Sequence, residues 1–258
     1  MVERQARRLA WRSLSVLLLL ASWWTLSLFF PPSFVPGPMP VLAKSVEIAQ
    51  SGEFPFHMAQ TVRRVGWGFL LALSFALPAG IAMGSIRAAE DLLEVEVIVG
   101  LSIPGLATAT LSILLFGLSE MAAYFTIAVT TCPILITNIW SGTKALDRDL
   151  VEMSRVFHAS VVAKLRRVIL PQLVPYLLAA SRYGFSIAWK VTVILEMLGF
   201  SNGVGYKITE AFQLYSPQGV LGWTIMFTVV IIIFEYGLLN RLERRLTRWR
   251  PETEMWRR

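Results

Sequence analysis

The sequence predicts an all-α integral membrane protein with six transmembrane helices, forming a single domain over residues 1–258. Hydrophobic residues make up 55% of the chain, and its mean hydropathy of +0.59 is higher than soluble domains usually reach. Several apolar stretches also approach the ~20 helical residues needed to cross about 30 Å of hydrocarbon. Because lipid offers backbone groups no hydrogen-bond partner, these stretches form helices rather than open sheet.

The six apolar stretches follow one another with little chain left for a soluble domain. The predicted spans are residues 13–30, 65–86, 97–119, 121–143, 172–199 and 218–240. Arg182, Lys190 and Glu196 interrupt the fifth span, and Glu235 lies in the sixth. The single cysteine, Cys132, falls in the fourth span, so the sequence contains neither a disulfide framework nor a cysteine zinc site.

The first span follows four arginines, as a secretory signal would. However, its apolar core is long, and the segment that follows, "FFPPSFVPGPMP", has no cleavage site of small residues. We therefore expect an uncleaved first span rather than a signal peptide.

Lysine and arginine predict the orientation, because they concentrate in cytoplasmic loops. With a cytoplasmic N-terminus, eighteen of the 24 basic residues lie on the inner side. Both termini of this multi-pass protein are then cytoplasmic. The basic residues cluster at the ends of apolar stretches rather than on one polar face, which excludes a nucleic-acid-binding protein.

The connection between the fourth and fifth spans, about residues 144–171, is unusually polar. Asp147 or Asp149 can cap a helix beginning near Asp149, and Glu152 adds negative charge in its first turn. Apolar residues at helical spacing give this segment one apolar face: Val151, Val156, Phe157, Val161 and Leu165. The segment is predicted to lie on the membrane surface or against a partner protein.

This connection resembles the EAA loop of ATP-binding-cassette importer permeases. In that loop a Glu-Ala-Ala sequence is followed by a glycine and by a hydrophobic-Leu-Pro ending. Here the glutamate is Glu152, Met153 and Ser154 replace the alanines, and "HAS", beginning at His158, stands for Gly-Ala-Ser. The ending is "VILP", which closes at Pro171. The alternative is a solvated loop with cytoplasmic positive charge.

Other segments resemble the nitrate, sulfonate and taurine group of these permeases: "IPGLATATLSILLFGLSE", "ILITNIWSGTKALDRDLVEMSR", "EMLGFSNGVGY" and "LLNRLERRLTRW". The resemblance implies a type I importer permease fold with a cytoplasmic coupling helix, in the bacterial inner membrane. The implied solute is an anionic or aromatic, sulfonate-like nutrient. The resemblance also implies a complex of two permeases, in the simplest case identical, with two cytoplasmic ATPase subunits and an external substrate-binding protein. Coupling to the ATPase is implied for Glu152, Met153, Ser154, Phe157, His158, Ala159 and Ser160.

Histidine at the glycine position of the loop leaves two conformations open. Glycine would allow a left-handed turn between two helical pieces, and histidine tolerates that turn less well. The coupling segment around His158 is therefore expected to be either a continuous helix or one with a strained kink.

Charged side chains within spans usually face a cavity or a partner. Arg182, Lys190 and Glu196 are therefore candidates for a translocation pathway, in which Lys190 would attract an anionic or carbonyl-rich solute. The alternative for Lys190 is a structural pair with an acid, either Glu196 of a second copy or Glu235. Two further arginines, Arg63 and Arg64, open the second span on the outer side, where they are expected to snorkel to lipid headgroups or to form a positive mouth for an anion.

Two other classes of membrane protein, intramembrane hydrolases and secondary transporters, have sequence features that are not found here. Both histidines, His57 and His158, lie outside the predicted spans, which argues against an intramembrane hydrolase. Inverted repeats of a partner-free secondary transporter, the alternative function, are not evident. Without a GxxxxGK[ST] phosphate loop, this non-catalytic chain is expected to bind no cofactor, and ATP and Mg²⁺ would bind the partner ATPase.

Overall fold

The computed structural model describes residues 2–239, 241, 245 and 246, and within them every regular element is helical. The α-helices are α1 Val2–Phe29, α2 Pro38–Gln50, α3 Glu53–Ser85, α4 Arg87–Ser102, α5 Gly105–Phe116, α6 Glu120–Lys144, α7 Arg148–Val156, α8 Val161–Lys164, α9 Leu170–Met197, α10 Val204–Gln213 and α11 Pro217–Ile233. Two π-helical segments, Leu165–Ile169 and Phe234–Leu239, follow α8 and α11.

Helices α3, α6 and α9 form the centre of the bundle. Phe69 of α3 stacks on Phe185 of α9 with ring centroids 3.9 Å apart, and Leu135 of α6 is fully buried beside them. Close approach of α3 to α6 depends on glycine, since a Cβ atom on Gly80 would lie 2.7 Å from the Ile139 side chain. Small residues therefore bring these two helices together, as they do in many membrane proteins.

Within the described part of the chain, length and composition identify three helices that can cross a membrane: α3, α6 and Pro217–Gly237. Helices α4 and α5 would together make a fourth, but they are bent by 97°. The apolar part of α1, Ser13–Phe29, is shorter, and α9 carries the charges of the predicted fifth span. The predicted count of six spans is therefore not established by these criteria.

The third predicted span, residues 97–119, is not one continuous helix, and it breaks next to Pro104. The chain leaves α4 at Ile103, which has extended backbone angles (φ −72°, ψ 123°), and α5 starts after Pro104. Proline lacks an N–H group and disfavours the helical conformation of the residue before it. An apolar run with an internal proline thus gives a broken span or a re-entrant loop.

The two ends of the bundle differ in character. The N-terminal ends of α3 and α6 lie beside the C-terminal end of α9, and α10 packs there against α9 and α11. We call this the network end. At the opposite end, Gly142 of α6 contacts Tyr176 near the start of α9, and the polar segment containing α7 and α8 lies between these helices in the chain. We call this the coupling end.

Candidate functional sites

The polar segment at the coupling end begins with a capped helix. The Asp147 carboxylate accepts a hydrogen bond from the backbone N–H of Asp149 at 2.9 Å, and α7 starts between them at Arg148. Aspartate is a favoured N-cap because it satisfies a backbone donor that the helix leaves without a partner. The helix predicted near Asp149 is confirmed, with Asp147 as the capping side chain.

The coupling segment is broken rather than continuous. Helix α7 ends at Val156, His158 has a left-handed backbone conformation (φ 50°), and α8 begins at Val161. The turn is closed by a hydrogen bond of 3.0 Å from the Ala159 N–H to the Ser154 carbonyl oxygen. Of the two conformations left open by the sequence, histidine adopts the one that glycine would allow.

The apolar side chains of this segment point away from the rest of the chain. Phe157 and Val156 are each 74% exposed, Val162 is 73% exposed, and Met153 is 55% exposed. Glu152 is also exposed, whereas Ser154 is buried. We call the four exposed apolar residues the coupling face. Side chains of Val151 and Val161, predicted for the same face, lie outside the described residues.

Two of the three charged residues of α9 share one cleft. Arg182 and Lys190 line a cleft of about 90 Å³, together with Glu235 of the second π-helical segment. Aromatic side chains, among them Trp189, complete the lining. Glu235, proposed from the sequence as a partner for Lys190, is thus at the right place, and Glu196 is not part of this cleft.

Glu196 lies at the network end in a buried ion pair with Arg64. A guanidinium nitrogen of Arg64 is 2.8 Å from the carboxylate of Glu196, and the two side chains are 1% and 0% exposed. The same guanidinium contacts Glu120 of α6 at 2.7 Å and the side-chain oxygen of Asn202 at 2.6 Å. Arg64 also lies over the ring of Phe200, 4.6 Å from its centroid. We call this group the outer network.

The expectation that Arg64 snorkels to headgroups or lines an open mouth is wrong. Consecutive residues point about 100° apart on a helix, so Arg64 faces the bundle while Arg63 faces outward. Arg63 is 48% exposed and reaches Glu120 at 3.1 Å. The sequence did not reveal Glu120, Thr61 or Asn202 as network members, although an arginine inside a helix facing the core requires an acid nearby.

Hydrogen bonds satisfy the rest of the Glu196 carboxylate. The Thr61 hydroxyl donates to it at 2.9 Å, and the backbone N–H of Gly205 donates at 2.9 Å. Thr61 in turn accepts a hydrogen bond from the N–H of Val204 at 2.9 Å. His57, close by on α3, accepts from the N–H of Gly203 at 3.1 Å. The start of α10 is thereby bound to α3 and α9.

A second charged group lies on α10. Lys207 is paired with Glu53 at 2.9 Å and with Glu210 on its own helix. Burial lowers the pKa of Lys207, but the hydrogen bonds to Glu210 and Glu53 outweigh it and raise that pKa above its ordinary value. Lys207 therefore stays charged and holds α10 to the first turn of α3.

Neither the outer network nor the group of charged side chains around Lys207 is a metal centre by composition. Among the residues that the structure describes, no group of three or more His, Cys, Asp or Glu side chains is arranged to hold a metal ion. The cysteine, Cys132, is half-buried in α6.

The described chain is a bundle of apolar helices with an exposed amphipathic connection. Comparisons with known proteins identify the family. Residues 76–248 match the family described as "Binding-protein-dependent transport system inner membrane component", and the chain belongs to this family. It is a permease subunit of an ABC transporter, and ATP is hydrolysed by a separate subunit.

Several relatives match over most of their length. A probable ABC transporter permease protein of Brucella melitensis is 32% identical over 83% of this chain and 87% of the relative. The taurine transport system permease protein TauC of Escherichia coli is 27% identical over 96% of each chain. Permeases named for aliphatic sulfonates and for nitrate match as well. The resemblance to the nitrate, sulfonate and taurine group is confirmed.

A solved structure supports the fold. The inward-facing MetNI methionine ABC transporter matches with a TM-score of 0.68 at 16% identity, over 77% of this chain and 98% of that chain. At this identity the match shows the fold alone, which is that of a type I importer permease. Because the family is binding-protein-dependent, the partner-free secondary transporter considered from the sequence is not supported.

Proposed function

We propose that this permease imports a small anionic solute of the sulfonate class and is driven by ATPase subunits that bind its coupling face. The observation that carries the proposal is the coupling face itself, where Met153, Val156, Phe157 and Val162 are exposed on a capped and firmly turned segment. Burying apolar area at a rate of about 25 cal/mol per Å² would favour a partner protein there.

The backbone turn at His158 sets the orientation of the coupling face. A left-handed residue between α7 and α8 separates the two helical pieces and leaves Phe157 exposed at the bend. Glu152, Met153, Ser154, Ala159 and Ser160 flank Phe157 and His158, and we propose that these seven residues form the coupling site for the ATPase.

The substrate class rests on charge within the membrane. Arg182, Lys190 and Glu235 line one cleft, so charged groups that could contact a polar solute are brought together within the predicted spans. Relatives named for taurine, sulfonates and nitrate suggest an anion as the ligand. We propose that Arg182 and Lys190 line the translocation pathway. Glu196, engaged in the outer network, is left out of this role.

The assembly follows the requirements of the family. We propose two copies of this chain around a two-fold axis, the simplest closed arrangement. Both termini and the coupling end are cytoplasmic, and the network end faces the external binding protein, in line with the distribution of lysine and arginine. The single permease domain spans the inner membrane in contact with lipid and binds no cofactor, while ATP and Mg²⁺ bind the partner ATPase.

Gentle detergent extraction of the tagged chain from its native host tests this function. We expect a nucleotide-binding subunit to copurify at about one per permease, because type I assemblies pair each permease with an ATPase. We also expect Glu152→Ala to abolish substrate-coupled ATPase activity without changing expression. A chain that purifies alone, and a Glu152→Ala variant without effect, would contradict the proposal.

A further inference from the structure

One unbroken helical backbone connects the coupling end to the network end. Helix α8, the π-helical segment and α9 follow one another directly from Val161 to Met197. At about 1.5 Å per residue, this backbone is roughly 50 Å long. It starts just after His158 and ends just after Glu196, so it connects the coupling segment directly to the outer network.

Glu196 is held in place at the far end of this backbone. Thr61 and Arg64 of α3 bind its carboxylate on one side, and the N–H of Gly205, at the start of α10, binds it on another. The space around it is filled as well, because a Cβ atom on Gly205 would lie 2.7 Å from the Cβ atom of Glu196. Gly203 also passes against the carboxylate, with a φ of 110° that other residues rarely adopt.

Arg64 joins this arrangement to the other elements of the network end. Its guanidinium binds Glu120 at the first residue of α6, and both the carbonyl oxygen and the side chain of Asn202 in the loop before α10. Four parts of the chain, α3, α6, α9 and the start of α10, therefore meet at one buried ion pair. Any displacement of α10 must therefore break these hydrogen bonds or move α9 with it.

A contribution to folding stability does not by itself explain why Arg64 and Glu196 form a buried ion pair. Apolar residues of similar volume often replace buried ion pairs at no cost to folding, and the best-attested use of buried charge is to fix registry or to switch. The outer network, moreover, connects the helix α10 to the helical backbone that carries the coupling segment. The pair therefore lies where α10 joins the helical backbone that begins at the coupling segment.

We infer that Arg64 and Glu196 are positioning residues that transmit docking of the external binding protein at the network end to ATP hydrolysis at the coupling end. The inference rests on the proposed function and adds a regulatory role to residues far from the coupling face. Neither residue touches the solute or the nucleotide in this account. Each acts by keeping α10, α3 and α9 in one register.

The test uses the whole importer reconstituted in lipid vesicles with its ATPase and its binding protein. Basal ATPase activity and its stimulation by the solute-loaded binding protein are measured for each variant. Glu196→Gln keeps the shape and removes the charge, whereas Gly205→Ala separates α10 from α9 without changing any charge. We expect both variants to lower the stimulation ratio by about fivefold or more, the lower range of ordinary coupling energies, and to retain basal activity.

Glu47→Gln is the matched control, since Glu47 lies on α2 in an exposed ion pair with Lys44 and should leave the ratio unchanged. Stimulation ratios at the wild-type value in both variants overturn the inference. A parallel fall of basal and stimulated activity, with a lower unfolding temperature, also overturns it, because that is the effect of a merely structural role. An unstimulated wild-type complex instead refutes the proposed function itself.

Arg64→Lys is a third test variant, which keeps the experiment decisive if Glu196→Gln or Gly205→Ala fails to fold. It retains the positive charge but cannot bind Glu196, Glu120 and Asn202 at once, because lysine lacks the planar fork of donors. A reduced stimulation ratio at normal basal activity is expected, and a normal ratio overturns the inference.

Discussion

Arg64 and Glu196 form a buried ion pair with an N–O distance of 2.8 Å, although they are 132 residues apart in the chain. Both belong to helices whose other charged residues are more exposed, such as Arg63 at 48%. The pair is surrounded by donors and acceptors that satisfy it, including Thr61 and Gly205. Buried charge with complete pairing makes this end of the bundle sensitive to the loss of one partner.

Removing the cation alone should destabilise the protein. Arg64→Met leaves the carboxylate of Glu196 buried without its partner, and we expect the free energy of unfolding to fall by about 3 kcal/mol. Adding Glu196→Gln should recover a large part of the loss, because the amide is neutral and still accepts from Gly205. Thermal unfolding in detergent measures both effects. Arg63→Met is the control, and a loss as large as that of Arg64→Met would contradict this account.

Glycine packing between α3 and α6 gives a prediction independent of charge. Gly80→Ala places a Cβ atom 2.7 Å from the Ile139 side chain, and overpacking of this kind should cost about 1–3 kcal/mol. Gly66→Ala, on the same helix with no atom within 4 Å of its new Cβ, should be neutral or slightly stabilising. The unfolding temperature should therefore fall for Gly80→Ala, whereas for Gly66→Ala it should stay the same or rise slightly. Equal shifts would show that the packing is not as described.

The left-handed turn in the coupling segment can be tested by side-chain branching. His158→Gly should preserve the turn, whereas His158→Val should disfavour it by roughly 1–2 kcal/mol, because β-branched residues avoid positive φ. The valine variant is expected to bind the ATPase more weakly in a pull-down from detergent, and the glycine variant as well as wild type. Valine and glycine variants that bind alike would argue against a role for the turn.

The cleft on α9 predicts a charge requirement for transport. Lys190→Met should raise the apparent KM for an anionic solute by about tenfold, the equivalent of 1.4 kcal/mol, and Lys190→Arg should retain much of the affinity. Uptake into vesicles measures the effect, with Lys44→Met on α2 as an exposed control. Unchanged uptake and unchanged affinity in Lys190→Met would exclude Lys190 from the pathway.

Periodicity and hydropathy predicted much of this fold, because they depend on local composition. The helical class, the cores of α3 and α6 and the capped start of α7 all follow from residues close together in the sequence. A proline within a span predicts a kink, but hydropathy did not indicate how sharp the bend at Pro104 is, because an apolar run looks the same whether it is straight or broken.

Ion pairs between residues far apart in the chain could not be predicted from one sequence. Arg64 was expected at the surface because its position near a span end resembles that of a snorkelling side chain. Its partners, Glu120 and Glu196, belong to helices that become neighbours only in the fold. His158 shows the same limit at short range, since the sequence left two backbone conformations open and the structure has the left-handed one.

Site-specific cross-linking at Phe157 tests the central claim most directly. Cys132 is the chain's one cysteine, so Cys132→Ala gives a background into which Phe157→Cys, on the coupling face, or Phe212→Cys, on α10, is introduced. The two positions match in exposure, at 74% and 72%. We predict that a short thiol-to-amine cross-linker joins position 157, and not 212, to the ATPase subunit in the assembled importer. Cross-links to the ATPase from 212 but none from 157 would contradict the assignment of the coupling face.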